Sequence, residues 1–214
     1  MKYRVALAIV LGSACTAVAQ PFGAAGTEFR VNTTTSAGQI APDIVYHAPN
    51  SFLVVWVGNG PSDSFGVFGQ RYGFVDPIGG EFRVNTTTTG SQGRTRVAGA
   101  PSVSGPQYVA VWQSQDGDFD GVYGQRYGAA GPVGAEFQVS TYTTGAEAVP
   151  AVAIDGSGNF VVVWEQPDGD GEGIFGRRYA ASGAPQGAVF RVNTYTTSLQ
   201  RLPVVAASSS GDFV

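Results

Sequence analysis

One segment is written almost four times in this chain. Phe29-Arg30-Val31-Asn32-Thr33 returns as Phe82-Arg83-Val84-Asn85-Thr86, Phe137-Gln138-Val139-Ser140-Thr141 and Phe190-Arg191-Val192-Asn193-Thr194, in steps of 53, 55 and 53 residues. A period near fifty is that of a stacked array, in the range of propeller blades and above most helical repeats. Each unit must then bury its apolar faces against its neighbours, so the repeat has to be understood before any single residue.

Within the third unit, Pro150-Ala151-Val152-Ala153-Ile154 leads through the turn-forming Asp155-Gly156-Ser157-Gly158-Asn159 into Phe160-Val161-Val162-Val163-Trp164. That pattern predicts a hairpin. A second turn-rich stretch precedes Ile174-Phe175-Gly176-Arg177-Arg178-Tyr179, and a third precedes Val189-Phe190-Arg191-Val192-Asn193, so each unit is expected to hold four short strands in up-and-down order. No segment carries helical signals, and the Gly, Thr and Val content disfavours helices. Phe160 to Trp164, Phe52 to Trp56 and Tyr108 to Trp112 are continuously apolar, which calls for cover on both faces. The last strand alternates instead, with Phe82 and Val84 on one side and Arg83 and Asn85 on the other, as a half-exposed strand does. The fold class expected is all-β, a propeller-type array of four-stranded antiparallel blades, with a β-solenoid as the alternative.

The ends of the chain stand outside this pattern. Lys2 and Arg4 precede an apolar run from Val5 to Leu11 and the small residues Ala17-Val18-Ala19, which marks residues 1–19 as a secretory signal peptide cleaved after Ala19, with 20–27 as a linker and 28–214 as the array. The apolar run is too short to span a bilayer, so no membrane span is expected after cleavage. Cys15 lacks the aliphatic residue three positions earlier that a lipidation site uses. Loss of the leader removes the single cysteine and takes the formal charge from −4 to −6. Stability must then come from core burial, sheet hydrogen bonds or bound metal rather than disulfides. An acidic chain without clustered Lys and Arg is not expected to bind nucleic acid. At the other end, Ser210-Gly211-Asp212-Phe213-Val214 falls in register with Ser157-Gly158-Asn159-Phe160-Val161. The chain is therefore expected to be an incomplete array whose Phe29–Thr33 strand belongs to a closing blade, and to self-associate through exposed faces and edges.

Asp116-Gly117-Asp118-Phe119-Asp120-Gly121 places three carboxylates at alternate positions, and Asp168-Gly169-Asp170-Gly171-Glu172-Gly173 repeats the layout. Hard cations take six to eight oxygens, and such spacing lets a short loop curl around one, so Asp116, Asp118, Asp120, Asp168, Asp170 and Glu172 are the candidate ligands of a structural calcium. A solvated Asp/Gly turn explains the same residues, and the first unit keeps only Asp63. Trp56, Trp112 and Trp164 end equivalent strands, which points to core packing over sugar stacking. Arg71, Arg126 and Arg178 recur once per unit and are expected to pair with Glu28, Glu81 and Glu136 or with backbone carbonyls.

Enzyme signatures are thin: His47 is the lone histidine, and no Gly-x-Ser-x-Gly or His-Glu-x-x-His motif occurs. Asp155 to Phe160 approaches the Asp-box turn of sialidases, but Ala153 stands where that motif has serine. No catalytic or cofactor-binding residue is assigned.

The combination of Glu-Phe-Arg-Val-Asn-Thr, Gly-Asn-Phe-Val-Val-Val-Trp, an Asp/Gly loop and Gly-Gln-Arg-Tyr resembles a tandem repeat of large exported bacterial proteins, over essentially all of residues 28–214. The resemblance implies an extracellular scaffold, and the role expected is binding or adhesion, with an extracellular glycan or protein as partner and a secreted, cell-surface or periplasmic location. It carries over no catalytic residue. The alternative is a secreted glycan-cleaving propeller of sialidase or glycosidase type.

Overall fold

The computed structural model describes residues 28–47, 51–60, 63–73, 76–100, 108–115, 120–128, 130–142 and 145–214. Of two compact units, Met1–Arg30 and Val31–Val214, the second holds every strand described. The leader, the linker and Cys15 lie outside the described residues.

Each repeat folds into its own antiparallel sheet with its strands in chain order. The first sheet is β1 (Gln39–His47), β2 (Ser51–Gly60), β3 (Asp63–Tyr72) and β4 (Pro77–Arg83). The second is β5 (Gln92–Gly99), β6 (Tyr108–Gln115), β7 (Asp120–Gly128) and β8 (Gly131–Gln138). The third is β9 (Ala148–Ile154), β10 (Phe160–Pro167), β11 (Gly171–Tyr179) and the two-residue β12 (Phe190–Arg191), with β13 (Ser198–Leu199) parallel to β11. No helix occurs among the described residues, and none there is long and apolar enough to cross a membrane. The fourth unit begins the same way: Ala207 opposes Phe213 as Ile154 opposes Phe160, and Ala206 and Val214 exchange hydrogen bonds of 2.9 and 3.0 Å.

The apolar second strands explain how the sheets stack. Along a strand successive side chains point to opposite faces. Tyr108, Ala110 and Trp112 of β6 join Leu53, Val55 and Val57 of β2 in one core, while Val109 and Val111 join Phe160, Val162 and Trp164 of β10 in the next. Val161 and Val163 pack with Val205 and Ala207 of the fourth unit. Phe52, Val54 and Trp56 form the equivalent face of the first sheet, against which Val31 packs. Trp56, Trp112 and Trp164 are buried in these cores, as their position in the repeat implies. Each such burial contributes roughly 1.5–3 kcal/mol.

The Phe-Arg-Val-Asn segment differs from the alternating strand expected of it. β4 ends at Arg83, and Val84 and Asn85 are both buried, at 2% and 1% exposure. Asn85 is inside because its amide does the work of a strand neighbour: Oδ1 accepts from Val67 N at 2.8 Å while Nδ2 donates to Thr87 O and Asp63 Oδ2. Asn193 accepts from Ile174 N at 2.7 Å and Ser140 Oγ from Val122 N at 3.1 Å, so the position caps the third strand in every sheet. Likewise, residues 29–33, expected as a strand, have no strand pairing among the described residues.

The first strands carry a feature that the apolar pattern does not reveal. Ala41, Arg94, Val149 and Leu202 all adopt positive φ, between 47° and 57°. In the three complete sheets this is a β-bulge, where three residues of the first strand oppose two of the second. A left-handed non-glycine residue costs about 1–2 kcal/mol. Three of the four precede a proline, Pro42, Pro150 or Pro203, whose missing N–H suits a bulge.

Candidate functional site

The acidic loop of the third unit closes on itself. Asp168 Oδ1 accepts from Asp170 N at 3.2 Å, an Asx turn, and Asp168 N donates to Gly171 O at 3.2 Å. The Asp168 side chain is fully buried, with Oδ2 3.3 Å from the Arg191 guanidinium and close enough to Gly173 that a Cβ there would lie 2.9 Å away. Glu172 instead reaches Arg201. Asp168 and Glu172 therefore face different arginines, and Asp170 lies on the exposed turn. In the second unit, Asp120 accepts through Oδ2 from Gln113 Nε2, and its carbonyl takes the Glu147 amide at 2.8 Å. Asp116 and Asp118 lie outside the described residues. Among the described residues no three His, Cys, Asp or Glu side chains converge.

The repeated polar residues meet across the boundary between units. Glu136 Oε2 accepts from Thr86 N at 2.6 Å and Thr86 Oγ1 at 2.9 Å, and Oε1 from Thr87 Oγ1 at 3.0 Å. Glu81 does the same one unit earlier, with Thr33 N at 2.9 Å and Thr33 Oγ1 at 2.7 Å. The tyrosine of each Gly-x-Arg-Tyr donates to the carbonyl of the preceding unit's valine: Tyr72 to Val31 at 2.9 Å, Tyr127 to Val84 at 3.2 Å and Tyr179 to Val139 at 3.3 Å. Burial pushes the phenols of Tyr72, Tyr108, Tyr127 and Tyr179 above their usual range and keeps them protonated.

Of the two kinds of partner the sequence left open for the repeated arginines, glutamates or backbone carbonyls, the carbonyl is seen at Arg126. The glutamates at 81 and 136 serve threonines, and the arginines find rings and carbonyls. The Arg71 guanidinium lies over Phe82 and Tyr108, at 5.5 and 5.6 Å from the ring centres, and Arg178 over Phe190 and Phe213, at 5.8 and 5.7 Å. Arg126 donates to Ala181 O at 2.9 Å, which is the carbonyl pairing anticipated, and burial lowers its pKa. Such stacking on aromatic faces suits a planar guanidinium.

One groove collects the first strands of the three sheets and the opening residues of the fourth unit. Asp43 of β1, Arg96 of β5 and Ala151 of β9 line it together with Leu202, Pro203 and Val204. Asp43 is its only acid among the described lining residues, and both oxygens are engaged, Oδ1 by Ile44 N and Oδ2 by Val97 N, each at 2.9 Å. Burial raises its pKa against these hydrogen bonds and against the field of Arg96. Among the described lining residues the groove offers one carboxylate, where most glycosidases use a pair.

Sequence reasoning passed over Asp43 and Arg96 because they occupy the same strand position in units where the counterparts, Ala151 and Val204, are apolar. The prolines after the bulges were the available signal. His47 ends β1 opposite Ser51. Compared with known proteins, the chain matches no family model and no curated protein.

Proposed function

We propose that this protein is an exported, non-catalytic binding or adhesion scaffold whose sheets are propeller blades with their first strands innermost. The blade arrangement is supported by the packing of β1 on β5 and β5 on β9, and by the groove lined by the first strands of the three sheets and residues 202–205 of the fourth unit. A cell-surface or secreted location follows from the leader-like start of the sequence, and the partner is an extracellular glycan or protein.

The observation that carries the scaffold reading is where the periodic polar groups are spent. Glu81, Glu136, Tyr72, Tyr127 and Tyr179 are committed to holding one unit to the next. Catalytic groups would break the period and converge at one mouth of the ring. Asp43 beside Arg96 is the feature on which a hydrolase reading would stand, and it offers one engaged carboxylate. Calcium enters the proposal as a structural ligand of the acidic loops. At the third loop it would compete with Arg191 and Arg201 for Asp168 and Glu172, and at the second with Gln113 for Asp120.

Binding to immobilised glycans, measured alongside release of reducing sugar from the same glycans and repeated with calcium and with chelator, tests the reading. Saturable retention without product is expected, and weaker retention with a lower melting temperature under chelation. Product formation that disappears in Asp43→Asn overturns the scaffold; unchanged melting under chelation removes calcium.

A further inference from the structure

Two arginines break the repeat. At the bulge position of the first strands stand Ala41, Arg94, Val149 and Leu202, and two residues on stand Asp43, Arg96, Ala151 and Val204. Only the second unit places a guanidinium at either position, and it does so at both. The periodic arginines of the Gly-x-Arg-Tyr segments are spent on rings and carbonyls within the array. Arg94 and Arg96 are exposed instead, one on each side of the buried Thr95. Among the described residues the Arg96 side chain makes one hydrogen bond, from Nη1 to the Thr95 carbonyl at 2.9 Å, and the Arg94 side chain makes none.

Arg96 lines the groove together with Asp43, Val97, Val149, Ala151 and Val152, all of them residues of the three complete sheets. Asp43 leaves the site positive: its oxygens accept the Ile44 and Val97 amides, and two guanidinium groups stand against its one charge. The cavity measures about 240 Å³, below the roughly 300–1,000 Å³ of sites for drug-sized molecules, so it suits a single ring. An extended peptide is a poor occupant. β5 is an edge of its sheet, where a peptide strand would pair, but the Val97 amide is already taken by Asp43 and the left-handed Arg94 bulges that edge. Valine and alanine side chains beside a guanidinium suit instead a small molecule with an apolar flank and one carboxylate, the group that a guanidinium fork binds through two parallel hydrogen bonds.

We propose that this groove binds a sugar acid such as a hexuronate, with Arg96 holding its carboxylate, Arg94 adding positive charge at the rim, and Val149, Ala151 and Val152 against the sugar ring. The inference rests on the glycan-binding reading and narrows it to acidic glycans. A neutral sugar offers Arg96 only hydroxyls, whose hydrogen bonds lack the second charge that makes a guanidinium–carboxylate pair strong. The asymmetry of the first strands then has a reason. A group that joins one unit to the next is needed at every boundary, whereas a group that binds a ligand is needed once.

The test is a nuclear magnetic resonance titration of the full chain with methyl glucuronoside and, in parallel, with methyl glucoside, which has the same ring without the carboxylate. Saturable binding of the glucuronoside is expected, about tenfold or more tighter than that of the glucoside, the margin of a charge-assisted hydrogen bond. Arg96→Gln should abolish that margin, and Arg94→Gln or added salt should reduce it. Both arginines are exposed, so the variants should melt with the parent and lost binding is then not lost fold. No saturable binding of the glucuronoside, equal binding of the two sugars, or a margin that survives Arg96→Gln overturns the proposal. So does an oligoglutamate peptide that binds through Arg96 where the glucuronoside does not. Retention of the parent chain on immobilised neutral glycans with no margin between the two sugars overturns the acidic site and leaves the scaffold reading standing.

Discussion

Gly69, Gly124 and Gly176 each face a phenylalanine across the last strand pair of their sheet: Phe82, Phe137 and Phe190. The ring lies where a side chain would begin. A Cβ on Gly124 would stand 2.9 Å from Phe137 Cζ and 3.3 Å from Ala110 O. That close approach explains why the glycine of Gly-x-Arg-Tyr and the phenylalanine of the following strand recur together. Gly124→Ala is expected to destabilise by about 1–3 kcal/mol, the cost of overpacking. Gly93→Ala, where a Cβ would meet nothing within 4 Å, should stay within about 0.5 kcal/mol of the parent. Chemical denaturation of the two variants side by side checks the contrast.

Each sheet is tied to the preceding unit by a tyrosine–carbonyl bond inside the core, and the first two sheets add a glutamate–threonine clasp at the edge, for which the third has Val189 in place of the glutamate. Glu136→Gln and Thr86→Val should each lower stability by about 1 kcal/mol, and the double variant by less than their sum, since both remove the same clasp. Additive losses in a double-mutant cycle would show that the two residues act separately. The strands behind these devices were legible in the sequence, because a continuous apolar run such as Phe160 to Trp164 admits little but a strand covered on both faces. The partners of the repeated charges were not. Spacing along the chain placed Glu136 and Arg126 in the same unit, whereas their contacts lie one unit away, at Thr86 and Ala181, and only the stacking of sheets brings those residues near. Asn85 was misjudged for a related reason: a polar residue at a strand end is buried when it caps a neighbouring strand. For the candidate metal loops, alternating acids did not disclose the arginines that face Asp168 and Glu172.

The core of the array joins sheet to sheet through buried phenols, which gives the whole molecule a characteristic response to alkali. In the unfolded chain Tyr72, Tyr108, Tyr127 and Tyr179 ionise near their ordinary value of 10.0, whereas burial holds them protonated to higher pH in the folded protein. The unfolded state thus releases protons first. The stability these groups contribute is intact below pH 10 and declines as pH rises above it. Tyrosinate absorbance from these four residues should therefore appear together with the loss of sheet circular dichroism; its appearance while the sheets persist would contradict the burial described. The bonds between units also bear on how such a chain can change length. Each of the three complete sheets carries a tyrosine that bonds the unit before it and is followed by a tail of the kind that the next unit's tyrosine receives. Recombination that inserts or deletes a whole repeat leaves each tail's valine carbonyl facing a receiving tyrosine, so the gene can grow or shrink by one period while keeping the bond that every described boundary shares.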